Sequence, residues 1–438
     1  MAFLRNALSV LATAAFQVPV ALATGVVLAR CLPVAEVGHY SVVLAFVGIA
    51  VILSRLGWPM ASIYRLRGLR SPAAVVAGAT ALAWLALTLI AVIACLALED
   101  WVRGHLLHGA PRSAYLLGVL VIPWQLLGEL GSGIARALDR FDLHNSYRLG
   151  RDLGRLAALA VVLIGGDGGL LAALWAVLIS QAASALVLAA RVLRRTGLDF
   201  ADTLPECWAH VVFGIKSYLQ GAAGEIHERV DLFMLAYLLT DPAPVAIYAI
   251  AANGVRFVKQ LAVSINLALY PQLASLDDGE SARLASDVAR HSLTLLSAVA
   301  VALGLAAPLL LPALYGSTYS ASLEPFLILL PGMVLLTLYR VFGGYFTSRG
   351  KQGINAATQV VSCIVNVGLN LWLIPRSGIA GAAVASLISY TLETLLIAAA
   401  FRRRTQLGLV AMLVPRRGDL ALYRRLAVDW LRRRAWTS

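Results

Sequence analysis

The chain has 438 residues, of which 60% are hydrophobic and only 13% are charged. Soluble domains carry about a quarter charged residues, so this chain could not cover a water-facing surface of its size. The composition excludes a soluble enzyme or binding domain and predicts a multi-pass membrane protein. The net charge of +13 comes mostly from arginines beside apolar segments, which report membrane orientation and give no reason to expect nucleic acid as a partner.

The apolar segments have the length of membrane-spanning helices, about 20 residues each. Backbone in lipid must satisfy its own hydrogen bonds, and these segments are too long for the strands of a barrel. The sequence therefore predicts an all-α membrane protein with about twelve spans. They are residues 7–29, 40–63, 73–98, 114–138, 146–164 and 170–190, then 211–239, 246–269, 292–314, 323–347, 356–374 and 380–401.

Lysine and arginine separate between alternate connectors, and cytoplasmic loops are enriched in both residues. The separation predicts an even number of spans, with both termini in the cytoplasm. The predicted outer connectors hold only Arg30, Arg103, Arg112 and Arg376. The predicted cytoplasmic connectors hold Arg65, Arg67, Arg70, Arg136, Arg140, Arg148, Arg151, Arg191, Arg194, Arg195, Arg283, Arg290, Arg349 and Lys351.

Two segments of the first half recur in the second half. LIGGDGGLLAALWAVLIS (163–180) aligns with LIPRSGIAGAAVASLIS (373–389), and LARCLPVAEVGHY (28–40) aligns with LAYLLTDPAPVAIY (235–248). Both offsets are close to 208 residues, which is six predicted spans. An even number of spans lets both copies enter the membrane from the same side. We therefore predict two six-helix lobes, residues 1–200 and 201–404, related by a pseudo-two-fold axis along the membrane normal.

Residues 405–438 form a strongly basic tail on the predicted cytoplasmic side. Apolar residues recur there at helical spacing beside the arginines, which suits an amphipathic helix lying on anionic lipid headgroups. A disordered basic tail is the alternative interpretation. The apolar residues are Leu420, Tyr423, Leu426, Ala427 and Trp430.

Charged side chains interrupt several predicted spans. Each costs roughly 2.5–3.5 kcal/mol at the bilayer centre, so about ten of them facing lipid would cost roughly 25–35 kcal/mol. That sum is several times a typical folding stability. We predict that these residues line a wet cavity or neutralise one another. They are Arg55, Glu129, Lys216, Glu225, His227, Glu228, Arg229, Asp231, Arg256, Lys259, Arg340 and Glu393.

Three stretches resemble the polysaccharide-biosynthesis flippases, whose superfamily also holds multidrug extruders and peptidoglycan-precursor flippases. They are LARCLPVAEVGHYSVVLA, HERVDLFMLAYLLTDPAPVAIYAIA and LYGSTYSASLEPFLILLPG, and the resemblance covers roughly Arg5 to Phe401. It implies a flippase without enzymatic activity in a bacterial-type inner (cytoplasmic) membrane. Alternating access would carry polyprenyl-diphosphate-linked oligosaccharide to the outer face, with polysaccharide assembly enzymes as partners.

The implied diphosphate would need guanidinium groups, whose planar donors match its oxygens. We predict Arg256, Lys259, Arg55 and Arg340 as its ligands. For Arg55 and Arg340 the alternative is pairing with a glutamate or reaching the inner surface.

The acidic residues of the seventh span are candidates for coupling to an ion. An intramembrane carboxylate commonly binds a proton or a cation, which makes Glu225, Glu228 and Asp231 candidates for proton or sodium binding. The alternative is structural. Glu225 and Arg229 are four residues apart, as are His227 and Asp231, so each pair could neutralise itself within one helix.

Glu129 and Arg340 occupy near-equivalent positions in the two halves, about two-thirds of the way towards the cytoplasm. We predict that they approach each other between the lobes. Such a pair would latch one conformation of the transporter.

Three other functions remain open. A drug or small-molecule antiporter of the same superfamily would carry an acidic residue in the first span, and residues 7–29 have none. A major-facilitator transporter would carry an acidic, glycine-led signature that residues 64–71 lack. A membrane glycosyltransferase or polymerase would present a large external loop with carboxylates, whereas residues 99–113 offer only Glu99 and Asp100.

Overall fold

The computed structural model of the protein describes residues 2–166 and 168–408, and all its regular elements in these ranges are helices. The all-α prediction is confirmed. The predicted amphipathic helix of the basic tail lies outside the described residues, as does the side chain of Lys216.

The first half contains eight α-helices, and its predicted second span is broken near the middle of its length. Leu56 and Gly57 at the break have left-handed backbone, with φ of 45° and 70°. A Cβ at residue 57 would lie 2.3 Å from the carbonyl oxygen of Gly214, so glycine is required there. The helices are α1 (Ala2–Cys31), α2 (Val34–Ser54), α3 (Trp58–Ile63) with a π-helix (Tyr64–Gly68), α4 (Ala73–Ala97), α5 (Glu99–His105), α6 (Arg112–Ala137), α7 (Phe141–Ile164) and α8 (Leu170–Thr196).

The second half contains five longer α-helices. The last of them divides at Gly378, whose φ of 52° and ψ of −130° interrupt the helix, and it therefore supplies the eleventh and twelfth predicted spans. The helices are α9 (Thr203–Leu238), α10 (Ala243–Ser275), α11 (Asp278–Tyr315), a 3₁₀-helix (Ser317–Ser322), α12 (Leu323–Ser348) and α13 (Gln352–Thr405).

Eight of the described helical segments are long and apolar enough to cross a membrane by length and composition. Of the other long helices, α7 and α9 each carry several charged residues, and α10 carries Arg256 and Lys259. Together with the division of α13, they complete the twelve spans that the sequence predicts. The charged helices are therefore the exceptions whose surroundings need explaining.

The helices pack as two groups that meet along the middle of the bundle. In the first half α6 and α7 pack against α8, and in the second half α10 and α13 pack against α12. Between the halves, α2 contacts α9 and α10, and α1 contacts α10. The two-lobe prediction is confirmed. The beginning of α9 also packs against α3 and α4, where Cys207 Sγ contacts the Ala79 carbonyl oxygen at 3.4 Å.

The two copies of the second repeated segment touch at the predicted outer side. A Cβ on Gly38 of α2 would lie 2.1 Å from the carbonyl oxygen of Pro242, just before α10. No side chain can fit at that distance without moving backbone. Glycine at residue 38 therefore sets how closely the halves approach.

Replacing Gly38 by alanine should destabilise the protein by about 1–3 kcal/mol, because the added methyl group overpacks the contact with Pro242. The matched control is Gly104→Ala on α5, where a Cβ would meet no atom within 4 Å. Alanine is the better helix former, so the control should be neutral or slightly stabilising. Thermal unfolding in detergent measures both variants. Equal melting temperatures would contradict the tight contact.

Candidate functional site

A cavity of about 520 Å³ lies between the two halves, a size typical of small-molecule sites. Its walls come from α1, α2 and α6 to α8 on one side, and from α9, α10, α12 and α13 on the other. Eight charged side chains of α7, α9 and α10 line this space, and they therefore do not contact lipid. The charged lining residues are Arg151, Asp152 and Arg155 on α7, Glu228, Arg229 and Asp231 on α9, and Arg256 and Lys259 on α10.

Three arginines from both halves converge on the cavity. Arg256 is attracted by Glu228, which is already paired with Lys259. It is repelled by Arg229 and Arg155, and it has no ion pair within 4 Å among the described residues. In the part of the chain that the structure describes, the one hydrogen bond of the Arg229 side chain goes to the carbonyl oxygen of Glu225, at 3.4 Å. Arg155 has Asp152 at 4.0 Å, and its Nε has no hydrogen-bond partner in the described part of the chain. This arginine cluster is Arg155, Arg229 and Arg256, and it carries positive charge that these contacts leave largely uncompensated.

The wall from the first half is rich in neutral polar groups. One of them, Gln17, donates a hydrogen bond to the Asp152 carboxylate, which also accepts one from Arg151 at 2.9 Å. Gln181 donates to the Tyr147 hydroxyl at 2.8 Å. Amides and hydroxyls of this kind exchange hydrogen bonds with other hydroxyl groups. The polar lining residues without charge on this wall are Gln17, Thr24, Tyr40, Ser41, Gln125, Ser180 and Gln181.

Lys259 and Arg340, both predicted as diphosphate ligands, share one acid. Glu228 forms an ion pair with Lys259, and its other oxygen lies 3.5 Å from Arg340 Nη2. Lys259 and Glu228 line the cavity, whereas the lining does not include Arg340. Arg340 therefore contacts Glu228 from the side that faces away from the cavity.

Arg55 joins the two halves instead of lining the cavity. It forms an ion pair with Glu225 of α9, and its Nη1 lies 3.7 Å from Glu129 of α6. Arg55 follows the end of α2, at the break before α3, and its side chain reaches α9. The structure thus forms a contact between the halves, but with different partners from those predicted.

The predicted pair of Glu129 with Arg340 is not formed in this conformation, because Glu129 contacts Arg55 and Arg340 contacts Glu228. Equivalent positions in a repeat share an environment, and this does not bring them into contact. The pairing of Glu225 with Arg229 along α9 is likewise replaced, since the Glu225 carboxylate binds Arg55.

A second contact between the halves lies on the predicted cytoplasmic side of Arg55. Arg65 binds Glu206 of α9 through two nitrogens, Nε at 2.6 Å and Nη2. The Trp58 and His210 rings stack with centroids 4.6 Å apart. If the halves separate on this side, two outcomes are possible. Either the start of α9 moves together with α3, or the contacts of Arg65 with Glu206 and of Trp58 with His210 break.

Asp231 is surrounded by neutral donors. Its carboxylate accepts hydrogen bonds from the Tyr248 hydroxyl at 2.8 Å, from Asn370 Nδ2 at 2.9 Å and from the Ser386 hydroxyl. The side chain is 5% exposed and lines the cavity. Its predicted helix partner, His227, lies instead beside Glu393. Among the three candidate acids, Asp231 is the one held by neutral groups, while Glu225 and Glu228 are paired with cations.

The charged residues of α7 are not among the site residues predicted from the sequence. Arg151 is assigned there to a cytoplasmic connector, although the predicted span 146–164 includes this residue. The structure begins α7 at Phe141, which carries Arg151, Asp152 and Arg155 into the cavity. The available signal was their spacing, since residues 151, 152 and 155 share one helical face.

Comparison with known proteins gives a consistent result. Residues 3–277 match the polysaccharide biosynthesis protein family. The probable low-salt glycan biosynthesis flippase Agl15 of Haloferax volcanii is 22% identical over 194 residues, 43% of this chain and 41% of that protein. The chain therefore aligns with about two-fifths of this relative's length.

Two solved transporters share the fold. The lipid II flippase MurJ in an inward closed conformation superposes with a TM-score of 0.74 at 11% identity, over 90% of this chain and 87% of that one. An inward-facing multidrug resistance transporter of the MATE family gives 0.71 at 16% identity, over 89% and 94%.

Cysteine cross-linking should distinguish the observed contact from the predicted one. In a background without native cysteines, Arg55→Cys with Glu225→Cys should react rapidly with a short bifunctional thiol reagent, because the native side chains touch. Glu129→Cys with Arg340→Cys serves as the comparison pair and should react slowly. A protease site after Gly197 reveals cross-linking, since cut halves then stay together on a gel. Faster linkage of the comparison pair would contradict the structure.

Proposed function

Because the chain belongs to the polysaccharide biosynthesis protein family, we propose that it is a flippase for polyprenyl-diphosphate-linked oligosaccharide. The cargo would cross from the cytoplasmic to the outer face of an inner (cytoplasmic) membrane, with both termini in the cytoplasm. The observation that carries this proposal is the arginine cluster in a cavity bounded by both halves. Polysaccharide assembly enzymes would supply the cargo and take it over.

The arginine cluster suits a diphosphate. Guanidinium groups give planar sets of donors that match phosphate oxygens, and several converging arginines favour an anion with more than one charge. Binding it would relieve the mutual repulsion of Arg155, Arg229 and Arg256. Because Arg155 belongs to one half and the other two belong to the second half, the anion would also draw the halves together.

The neutral polar wall suits the sugars of the cargo. A sugar headgroup moving through hydrocarbon would leave many hydroxyls without partners, each costing several kcal/mol, on the order of 2–7. Gln17, Gln125 and Gln181 offer both donors and acceptors for such hydroxyls. The prenyl chain would remain in lipid between the halves while the headgroup occupies the cavity.

Alternating access follows from the way the halves meet. The contacts of Arg55 with Glu225 and of Arg65 with Glu206 hold them together on the predicted cytoplasmic side, and Gly38 packs on Pro242 on the outer side. Rocking of the halves would break one set of contacts while the other persists. The headgroup would then leave on the side that opens.

The cavity charge argues against the antiporter alternative for cationic drugs. Five cations and three acids line it, so a cationic drug would meet net repulsion.

Asp231 is our proposed site for the coupling cation, either a proton or a sodium ion. A proton would bind the carboxylate itself. For a sodium ion, oxygen ligands would come from Asp231 and the hydroxyls of Tyr248 and Ser386. Asn370 Oδ1 is buried without a hydrogen-bond partner among the described residues, and an amide flip would turn it towards the same place.

Replacing Arg256 by glutamine should weaken transport, because one charge-assisted contact to the diphosphate is worth about 1.5–3 kcal/mol. Proteoliposomes loaded with polyprenyl-diphosphate-linked oligosaccharide should show about 10- to 100-fold slower movement of cargo between leaflets. The control is Arg376→Gln, since Arg376 lies over Trp372 away from the cavity lining. Wild-type protein that moves no cargo, while conferring drug resistance on cells, would overturn the proposed function.

Replacing Asp231 by asparagine should remove the acceleration of transport by an ion gradient, because the neutral amide cannot exchange a proton or balance a bound cation. Movement of cargo down its own gradient should persist. Separate sodium and proton gradients across the same proteoliposomes identify the ion. The surface variant Asp100→Asn should keep the wild-type response. If Asp231→Asn keeps it too, the coupling site lies elsewhere.

A further inference from the structure

A chain of polar side chains crosses the interior of the second half, starting at Asp231. Asn370 Nδ2 lies 2.9 Å from both Asp231 Oδ1 and Asn366 Oδ1. Asn366 Nδ2 donates to the Ser389 hydroxyl at 3.2 Å. The same hydroxyl lies 3.2 Å from His227 Nε2. The far end of the chain is the contact of His227 Nδ1 with Glu393 Oε2 at 3.7 Å.

This far end is buried in the membrane-spanning part of the protein. His227 and Glu393 are each 3% exposed, and Ser389 is fully buried. Groups with ionisable side chains at such depth are costly and usually serve a function. Neither His227 nor Glu393 lines the cavity, so binding the cargo headgroup does not account for them.

The hydrogen bonds of the Ser389 hydroxyl indicate that His227 Nε2 carries a proton. A serine hydroxyl has a single hydrogen. Ser389 directs its hydrogen to the carbonyl oxygen of Ser386 at 3.0 Å, and it already accepts a hydrogen bond from Asn366. The contact with Nε2 is then a hydrogen bond only if the ring nitrogen donates it.

The other ring nitrogen faces the Glu393 carboxyl. If Nδ1 also carries a hydrogen, the imidazolium ion balances an ionised Glu393. If Nδ1 is bare, a protonated Glu393 fits beside it. Both arrangements hold one proton more than a neutral histidine beside a carboxylate, and both leave the pair without net charge. Burial favours that neutral total, since an unbalanced buried charge is costly.

No nearby cation among the described residues takes the place of this proton in balancing the charge of Glu393. Within the described ranges, Arg340 is the one cation that acts on Glu393, and its own ion-pair contact is to Glu228. The Tyr390 ring lies 5.3 Å from the His227 ring and lines the cavity, so it separates the pair from water. The titratable groups that face the pair are Glu228 and Asp231 on α9, Tyr339 and Arg340 on α12, and Cys363 and Tyr390 on α13.

We propose that His227 and Glu393 together bind one exchangeable proton and that Ser389 and Ser386 communicate its presence to Asp231. Loss of the proton leaves a neutral ring that directs Nδ1–H at the carboxylate. Nε2 then needs a donor, so the Ser389 hydroxyl must turn from the Ser386 carbonyl to the ring. Ser386 also donates to Asp231, so the change reaches the proposed cation site. The proton enters from water and returns to it when Tyr390 moves aside.

This inference deepens the proposed ion coupling and rests on it for its role in transport, but proton binding can be tested without any cargo. Infrared difference spectra of the full chain in lipid nanodiscs, recorded between two pH values, report protonation of carboxyl and imidazole groups. The wild type should show carboxyl or imidazole bands that titrate with pH. Both Glu393→Gln and His227→Gln should remove the same titration step.

Asp100→Asn is the surface control and should leave this titration step in place, and thermal unfolding of each variant verifies folding. Loss of the step in Asp231→Asn alone would place the proton at Asp231 and overturn the proposal. A spectrum that keeps the step in Glu393→Gln would overturn it as well.

In transport assays, folded Glu393→Gln should change the cation concentration that gives half-maximal acceleration by about 5- to 150-fold, the usual range of coupling between two sites. No change would contradict communication with Asp231, while absence of any glycan transport would count against the proposed function alone.

Discussion

The structure depends on keeping charged side chains away from hydrocarbon. Each charge exposed at mid-bilayer would cost roughly 2.5–3.5 kcal/mol, and α7 and α9 carry several while α10 carries two. The fold accommodates them by placing these helices around one cavity between the halves. Several charges that do not reach the cavity are paired, as Arg55 is with Glu225. The same requirement that shapes the bundle therefore creates a polar space suited to a polar cargo.

The distribution of charge around that space follows the two halves. Neutral amides and hydroxyls dominate one wall, and the ion pairs of Lys259 and Arg340 with Glu228 lie on the other. The arginine cluster draws from both sides. A cargo with an anionic and a hydroxyl-rich part would satisfy both walls at once. Asp231 and the polar chain beyond it belong to the second half alone, so the proposed ion site would be separate from most of the proposed contacts to cargo.

Much of the fold was predictable because lipid imposes a simple rule on sequence. The twelve spans, the two lobes and the presence of a charged interior follow from hydropathy, charge and the repeat. The partners of individual charges did not follow. Arg55 reaches Glu225 from the end of α2, just before the chain breaks at Gly57, and hydropathy does not report where that helix ends. The contacts of Asp231 with Asn370 and Ser386 join spans more than a hundred residues apart, and no local pattern predicts such a meeting.

The arginine cluster lines the cavity between the halves, and we propose that it faces water there and binds the cargo diphosphate. Cysteines replacing Arg155 and Arg256 one at a time, in a background without native cysteines, test this through their reaction with a charged thiol reagent. The comparison is Leu305→Cys on α11, a position 80% exposed on the bundle exterior. We predict that the two cavity cysteines react much faster than the α11 cysteine in lipid and that polyprenyl-diphosphate-linked oligosaccharide protects them. Cavity cysteines that react no faster than residue 305, or that the cargo leaves unprotected, would contradict the account.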